Sequence, residues 1–237
     1  MCGRYSLSVP TDVLARVFGL ASVPAWKPRY NIAPSQEAPV VRGEAGARRI
    51  DLLKWGLIPN WADDPAIGNR LIMARAESAL NKPAFRTAFR RRRCLIPADG
   101  FFEWLKSGSK KQPFLIRMHG GRPFALAGLW EAWRGEGGKE IESFTILTTT
   151  ANEVAGQVHD RMPVIIGPEN YDTWLDPKQE DDEKLRSLLT PFAADQMEAF
   201  PVSPKVNSPK NDDAECIKQV RPKPAAKSRD SEGDLLF

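Results

Sequence analysis

Short apolar runs separated by glycine- and proline-rich turns dominate the middle of the chain. Several of them alternate apolar and polar residues, which is typical of strands with one buried face. Many such strands in close succession favour an antiparallel sheet or barrel. We therefore predict an α/β fold of the α+β type, with a barrel-like, mainly antiparallel β-sheet and short helices on its rim. The predicted strands cover residues 37–41, 49–55, 94–97, 112–118, 123–133, 143–149 and 164–166.

The helical patterns are short. Residues 11–19 carry an apolar face at helical spacing, with Thr11 as the predicted N-cap and Gly19 as the stop. Asn152 is predicted to cap another short helix, and residues 200–207 are predicted to be an extended return segment. Further helices are predicted at residues 74–80, 83–92, 168–175 and 181–189.

Chain length, composition and cysteine count limit the class of protein. The chain has 237 residues, of which 42% are hydrophobic, and these suffice for one core. We predict a single domain over residues 2–220 and a disordered tail over 221–237, since the tail has almost no apolar content before its last residues. The three cysteines are widely spaced, which argues against a disulfide framework and a CxxC metal site. With no apolar run of about 20 residues, no signal segment and no membrane partner expected, we expect a cytoplasmic monomer.

Cys2 is the first candidate for chemistry. Its side chain is small, so removal of Met1 is expected to leave a primary amine and a thiol on adjacent carbons. The amine condenses with an aldehyde to an imine, and the thiol closes on the same carbon to form a thiazolidine. An α-amine titrates near pH ~7.7–8.0, and a thiolate is a strong nucleophile. From position alone, an incidental residue at a chain terminus is the alternative.

Other polar residues stand in distinctive settings. Asp99-Gly100 reads as a turn, and the alternation after it puts Glu103 on the face opposite Phe102 and Trp104. His159 precedes two charged residues and a proline-stiffened strand. Trp61 lies in a loop dense in Asn, Asp and Pro, where an indole needs something to pack on it. The run 90–93 is four arginines, which fits either a solvated face or phosphate contacts; the net charge of +4 is compatible with a polyanion partner.

Six motifs, in order along the chain, resemble the SRAP (SOS-response-associated peptidase) family. The likeness covers residue 2 to about residue 217. The motifs are Met1-Cys2-Gly3-Arg4, Asn31-Ile32-Ala33-Pro34, Trp55-Gly56-Leu57-Ile58-Pro59, Ala74-Arg75-Ala76-Glu77, Ala98-Asp99-Gly100-Phe101-Phe102-Glu103-Trp104 and His159-Asp160-Arg161-Met162-Pro163.

The resemblance implies recognition of abasic sites in single-stranded DNA, with a nucleoid-associated location. It implies that Cys2 joins the opened sugar as a thiazolidine, and that Glu103 and His159 are its acid/base partners. It also implies a DNA-binding set consisting of Arg4, Asn31, Pro34, Trp61, Arg75 and Trp104. The arginines would hold phosphates and the tryptophans would pack on bases; no metal or organic cofactor is needed.

The chain departs from the family pattern at Met73. The family usually has an asparagine there, whose amide could hydrogen-bond the opened sugar or orient the Cys2 amine. A thioether is at best a weak acceptor and never a donor. We therefore predict slowed chemistry with retained DNA binding, unless another polar group such as Asn69 or Asn31 fills the gap.

Two other functions stay open on the sequence. Cys2 with His159 as base would suit a thiol hydrolase or self-processing peptidase, and lyase-type activity is also compatible with the amine. A non-catalytic single-strand-binding module would not use Cys2 at all. At the other end, Leu235, Leu236 and Phe237 look like the end of a short sliding-clamp-binding peptide, although the usual leading glutamine is absent.

Overall fold

The computed structural model describes residues 3–44, 46–107 and 110–221. Six α-helices within these residues are α1 Thr11–Phe18, α2 Ala76–Ala79, α3 Arg86–Arg91, α4 Glu153–Gly156, α5 Tyr171–Leu175 and α6 Asp182–Ser187. The strands are β1 Tyr5–Leu7, β2 Arg29–Ile32, β3 Glu37–Glu44, β4 Ala47–Trp55, β5 Met73–Arg75, β6 Arg93–Ala98, β7 Gly100–Ser107, β8 Lys110–Met118, β9 Phe124–Arg134, β10 Glu140–Thr150, β11 Arg161–Pro163, β12 Ile165–Ile166 and β13 Met197–Pro201.

Five strands close into a barrel, in the order β4-β3-β6-β9-β10. Closure follows because β10 pairs antiparallel with β9 along one edge and parallel with β4 along the other. A closed sheet leaves no unpaired strand edge. The barrel strands are rich in β-branched and other apolar residues, and their buried side chains form the main core. The predicted fold class, a barrel-like and mainly antiparallel sheet with short helices, is confirmed.

A second sheet has the strand order β13-β8-β7-β1-β2. The N-terminal strand β1 therefore lies inside this sheet, with β2 on one side and β7 on the other. All three residues of β1 are buried. Because both of its edges are hydrogen-bonded, the segment that leads into β1 is fixed in position.

The chain passes from the barrel to the second sheet at Asp99. The turn predicted at Asp99-Gly100 is present as a bend at Asp99, and it connects two sheets: β6 ends at Ala98, β7 starts at Gly100, and the two strands belong to different sheets. The Asp99 carboxylate accepts hydrogen bonds from the Ser6 hydroxyl at 2.6 Å and the Ser8 hydroxyl at 2.7 Å. The aspartate thus fastens this corner to β1 and to the residue after it.

Helix α1 matches its prediction except at its start. Gly19 ends it in the left-handed conformation (φ 62°), and its N–H donates to the Ala15 carbonyl. The predicted N-cap is wrong, because Pro10 occupies the cap position and Thr11 is the first helical residue. The predicted cap at Asn152 is confirmed, since its side chain accepts the Ala155 N–H.

Two predicted elements differ. The helix expected over 74–80 is replaced by β5 and a single turn, α2, because β5 adds a parallel strand to β10. Pairing with a neighbouring strand thus overrides a helical pattern that was only one turn long. The extended segment expected at 200–207 is extended through Ser203, and Pro204–Asn207 forms a 3-10 turn.

Among the helices in the described ranges, none combines the length and the apolar character needed to span a bilayer.

Candidate active site

A cleft of about 590 Å³ opens beside the N-terminal strand. It brings together five of the residues singled out in the sequence: Arg4, Pro34, Glu103, Trp104 and His159. Cys2 and Met1 lie outside the described residues, but Gly3, to which Cys2 is joined by a peptide bond, lines the cleft. The full lining is Gly3, Arg4, Pro34, Glu103, Trp104, Lys106, Lys111, His159 and Asn207.

Glu103 reaches this cleft from β7. Tyr5 pairs with Phe101, and the Phe102 N–H donates to the Arg4 carbonyl at 3.0 Å, so the same register continues to Gly3 opposite Glu103. Glu103 is only 2% exposed, whereas its neighbours Phe102 and Trp104 both pack in a separate apolar cluster. The predicted alternation is therefore confirmed. A buried carboxyl opposite Gly3 is suited to proton transfer in the cleft.

His159 enters from the loop between α4 and β11. Its Nδ1 accepts the Arg161 backbone N–H at 3.0 Å and also lies 2.8 Å from Oδ1 of Asp160. The hydrogen bond from Arg161 requires a lone pair on Nδ1, whereas a hydrogen bond to Asp160 requires a proton on Nδ1. A backbone N–H can only donate, so the neutral ring carries its proton on Nε2, while the imidazolium is stabilised by Asp160.

An ion pair joins two of the sequence motifs behind His159. The Arg161 guanidinium donates to both carboxylate oxygens of Glu77, at 2.6 and 3.0 Å, and to the Thr148 carbonyl at 2.6 Å. The hydrogen bonds from Arg161 hold the pKa of Glu77 below its ordinary value. Sequence reasoning missed this bridge, because residues 77 and 161 are far apart and only β10 brings them together. It ties the loop of His159 to the segment that carries Arg75.

Arg4 is held in place by backbone and amide oxygens. Its Nη1 donates to Oδ1 of Asn31 at 2.9 Å and to the Val206 carbonyl at 2.8 Å, and its Nη2 donates to the Asn207 carbonyl at 3.2 Å. Burial lowers the pKa of Arg4. Two of its five N–H groups have no partner among the described residues, which leaves a fixed guanidinium with free donors at the cleft.

Asn31 is hydrogen-bonded within the protein. It is fully buried, and its Nδ2 lies within hydrogen-bond distance of the carbonyls of Val206, Ser208 and Asn211. Its Oδ1 accepts from Arg4. The polar atoms of the Asn31 side chain are thus engaged inside the protein, where Asn31 orients Arg4, and its direct contact with DNA stays a prediction.

Trp104 is oriented by the same returning segment. Its indole N–H donates to Oδ1 of Asn207 at 2.7 Å, and its ring is half-buried at the cleft. A tryptophan whose polar atom is satisfied by the protein presents an apolar face to a ligand.

The two described cysteines, Cys94 and Cys216, are not suited to act as nucleophiles. Burial raises the pKa of both Cys94 and Cys216. Their thiols are therefore poor nucleophiles. Within the ranges that the structure describes, no cluster of His, Cys, Asp and Glu could hold a metal ion.

Comparisons with known proteins identify the family. A model described as SOS response associated peptidase (SRAP) matches residues 1–209. This chain belongs to the SRAP family. The abasic site processing protein YoqW of Bacillus subtilis is 44% identical over 92% of this chain and 99% of its own length. The abasic site processing protein YedK of Escherichia coli is 34% identical over 93% and 100%. A crystal structure from Bacteroides thetaiotaomicron superimposes with a TM-score of 0.84 at 26% identity, covering 93% of this chain and all of the other.

Besides Asn31, three residues that the SRAP resemblance assigns to the site do not line the cleft. They are Trp61, Met73 and Arg75. The Trp61 side chain is 57% exposed, in the loop after β4. Arg75 is exposed at the end of β5, and its guanidinium has no hydrogen bond or ion pair with any described residue. Met73 is half-buried and packs against the main core, and strand alternation gives it the same face of β5 as Arg75.

The loop that carries Trp61 is fixed by a close approach of two glycines. Gly56 has a φ of 128°, which side-chain-bearing residues rarely adopt, and a Cβ on it would lie 2.6 Å from the Gly68 carbonyl oxygen. A Cβ on Gly68 would meet the Gly56 oxygen at the same distance. The glycine of the Trp55-Gly56 motif therefore has a packing role.

Two cleft residues escaped the sequence analysis. Lys106 and Lys111, near the ends of β7 and β8, line the cleft beside Trp104. The sequence analysis named no site residue in this segment. The two lysines meet because the register of β7 and β8 pairs Lys106 with Lys111, and the sequence pattern does not give this register.

The arginine run 90–93 divides into exposed and buried members. Arg90 is exposed, Arg91 pairs with Glu180 at 2.7 Å and Arg92 pairs with Glu131 at 2.6 Å. Arg93 is 3% exposed. All five of its N–H groups donate to backbone carbonyls, those of Phe89, Arg90, Trp174, Asp176 and Gln179. Arg93 thus has a structural role and no N–H group left for a phosphate.

Proposed function

We propose that this protein recognises abasic sites in single-stranded DNA and joins them covalently through Cys2. The observation that carries the proposal is that Gly3, which is joined to Cys2 by one peptide bond, lines the same cleft as Glu103 and His159. Adjacent Cα atoms are about 3.8 Å apart across a peptide bond. Relatives at 44% and 34% identity that are named abasic site processing proteins support the same function.

The first step forms an imine. Removal of Met1 frees the α-amine of Cys2, which attacks the C1′ aldehyde of the opened sugar. The carbinolamine then loses water, with its hydroxyl leaving as water after protonation. Glu103, as a carboxylic acid, donates that proton, and as a carboxylate it removes one from the nitrogen.

The second step closes the ring. The Cys2 sulfur adds to the imine carbon, the C=N π electrons move to nitrogen, and the nitrogen takes up the thiol proton. The product is a thiazolidine in which C1′ is bonded to both nitrogen and sulfur. Because C1′ is no longer an aldehyde or an iminium, it cannot drive the β-elimination that breaks an abasic strand.

His159 acts on the sugar before these steps. An abasic sugar is mostly a cyclic hemiacetal, and opening it requires loss of the C1′ hydroxyl proton and protonation of the ring oxygen. The ring of His159 changes its protonation state while Nδ1 stays anchored by the Arg161 N–H or by Asp160. It is therefore suited to move that proton through Nε2.

The DNA is held by arginines and aromatic side chains. Arg4 and Arg75 bind phosphates, which supplies affinity, while the aldehyde supplies selectivity. Trp104 and Pro34 pack against the sugar and bases at the cleft, and Trp61 packs against a base outside it. Asn31 contributes by orienting Arg4.

A denaturing gel tests the proposal. The processed protein is incubated with an abasic oligonucleotide and with an intact one of the same sequence. We expect a slower band that resists denaturation with the abasic strand alone. Turnover of peptides or small amides without DNA would support a thiol hydrolase, strand cleavage without a stable adduct would indicate a lyase, and binding without either would leave a non-catalytic module.

The sliding-clamp hypothesis stays a prediction. Residues Leu235, Leu236 and Phe237 lie outside the described residues. Deleting residues 232–237 should leave cross-linking intact and abolish capture by a clamp; a full-length protein that binds no clamp would end the idea.

A further inference from the structure

Two lysines face each other at one end of the cleft. Lys106 of β7 is the direct cross-strand partner of Lys111 of β8, and both side chains are exposed. Like charges directly opposite each other destabilise an antiparallel pair. Neither ammonium group has an ion pair or a hydrogen bond with another described residue. The free protein therefore bears a repulsion that an anion between the two groups would relieve.

The pair continues a line of groups that starts at Arg4. The Asn207 carbonyl accepts from Arg4, and the Asn207 side chain accepts from the Trp104 indole. Trp104 and Lys106 lie on the same face of β7, two residues or roughly 6.6 Å apart along the strand. The cleft thus presents a cation, an aromatic face and two more cations in order, which is the arrangement that a single strand requires for its phosphates and bases.

We infer that Lys106 and Lys111 form a phosphate-binding subsite that holds the single strand on one side of the reacting nucleotide, beyond Trp104. The inference rests on the proposed function for the identity of the ligand. Arg75 does not line this cleft, so it contacts a different part of the strand. The lysine pair therefore acts on one side of the abasic site only.

A charge-matched pair of variants tests the subsite. Lys106→Gln/Lys111→Gln is compared with Lys139→Gln/Lys178→Gln, which removes the same charge from two exposed lysines outside the cleft. Dissociation constants for an intact oligonucleotide are measured over a range of salt. We expect about tenfold weaker binding at low salt and a log–log slope shallower by about 0.7, the value for one phosphate, in the first variant only. Intact DNA makes this result independent of cross-linking.

Two further probes test the position of the subsite. Each carries an abasic site at one end of a short strand, one extending only to the 5′ side and one only to the 3′ side. We expect the lysine variant to bind one probe as wild type does and to lose affinity for the other. Equal losses on both probes, or behaviour equal to that of the control pair, would overturn the inference.

Thermal unfolding separates binding from folding. Because the substitution removes a like-charge pair, the midpoint of the Lys106→Gln/Lys111→Gln variant should equal or exceed that of wild type. A lower midpoint would assign the lysines a structural role and would overturn the inference.

Discussion

Arg75 and the arginine run 90–93 present the same side chain in two opposite settings. Arg93, inside the run, is buried, and every N–H group donates to a backbone carbonyl. Arg75 stands alone in the sequence, yet it is exposed and makes no hydrogen bond or ion pair with a described residue. Burial lowers the pKa of Arg93 to about 10, so the group stays charged at neutral pH. The difference teaches that charge density along a sequence does not indicate which guanidinium groups have N–H donors available to a ligand.

The largest expected effect is the loss of cross-linking when Cys2 is replaced. Cys2→Ala should abolish the stable cross-link, and Cys2→Ser should form only a labile imine that a reductant traps. An N-terminal tag that retains Met1 should be as damaging, because the amine is then no longer beside the thiol. The measurement is the denaturing gel with an abasic strand. A tagged protein that cross-links normally would refute the thiazolidine mechanism.

Replacing Met73 tests whether position 73, which does not line the cleft, belongs to the reacting centre. Met73→Asn should raise the single-turnover cross-linking rate 10- to 1000-fold at unchanged DNA affinity, about 1.4–4 kcal/mol for one well-placed hydrogen bond. Met73 shares a face of β5 with Arg75, which is consistent with a position toward the DNA. An unchanged or lower rate at saturating protein would mean that the methionine is accommodated and that this position lies outside the reacting centre.

Arg93→Met should act on stability alone. The substitution leaves buried carbonyls without donors, and we expect a loss of about 3 kcal/mol in the free energy of unfolding. The matched control is Arg90→Met, an exposed neighbour for which the change should stay within about 0.5 kcal/mol. Urea denaturation measures both. If Arg93→Met unfolds at the wild-type midpoint but weakens DNA binding, the contrast between the two arginine regions is wrong.

The smallest effect compares two exposed arginines. Arg75→Ala should weaken binding to intact and abasic strands alike by about tenfold and make the salt slope shallower by about 0.7. Arg90→Ala should leave both nearly unchanged, since Arg90 belongs to the run that surrounds the buried Arg93. Fluorescence anisotropy over a salt series gives both quantities. Equal losses in the two variants would show that the arginine run also contacts DNA.

Local sequence patterns predicted those features that depend on a single helix or strand. The apolar face and Gly19 of α1, the strands predicted at 37–41 and 49–55 and the cap at Asn152 follow from periodicity and turn chemistry, and all are present. The alternation along β7 likewise predicted the separation of Glu103 from Phe102 and Trp104. Of the catalytic candidates, Glu103 and His159 meet in one cleft, as the motif resemblance implied.

Tertiary structure decided what depends on distant partners. Sequence alone determined which residues carry reactive groups: a thiol at Cys2, a carboxyl at 103, an imidazole at 159. Only the closed barrel and the second sheet decided that β10 recruits residues 73–75 as a strand, that Asn31 faces inward to hold Arg4, and that Glu77 meets Arg161. The physical reason is that periodicity reports which face of an element is buried, whereas hydrogen-bond partners and cross-strand neighbours are set by register and by chain closure over long sequence separations.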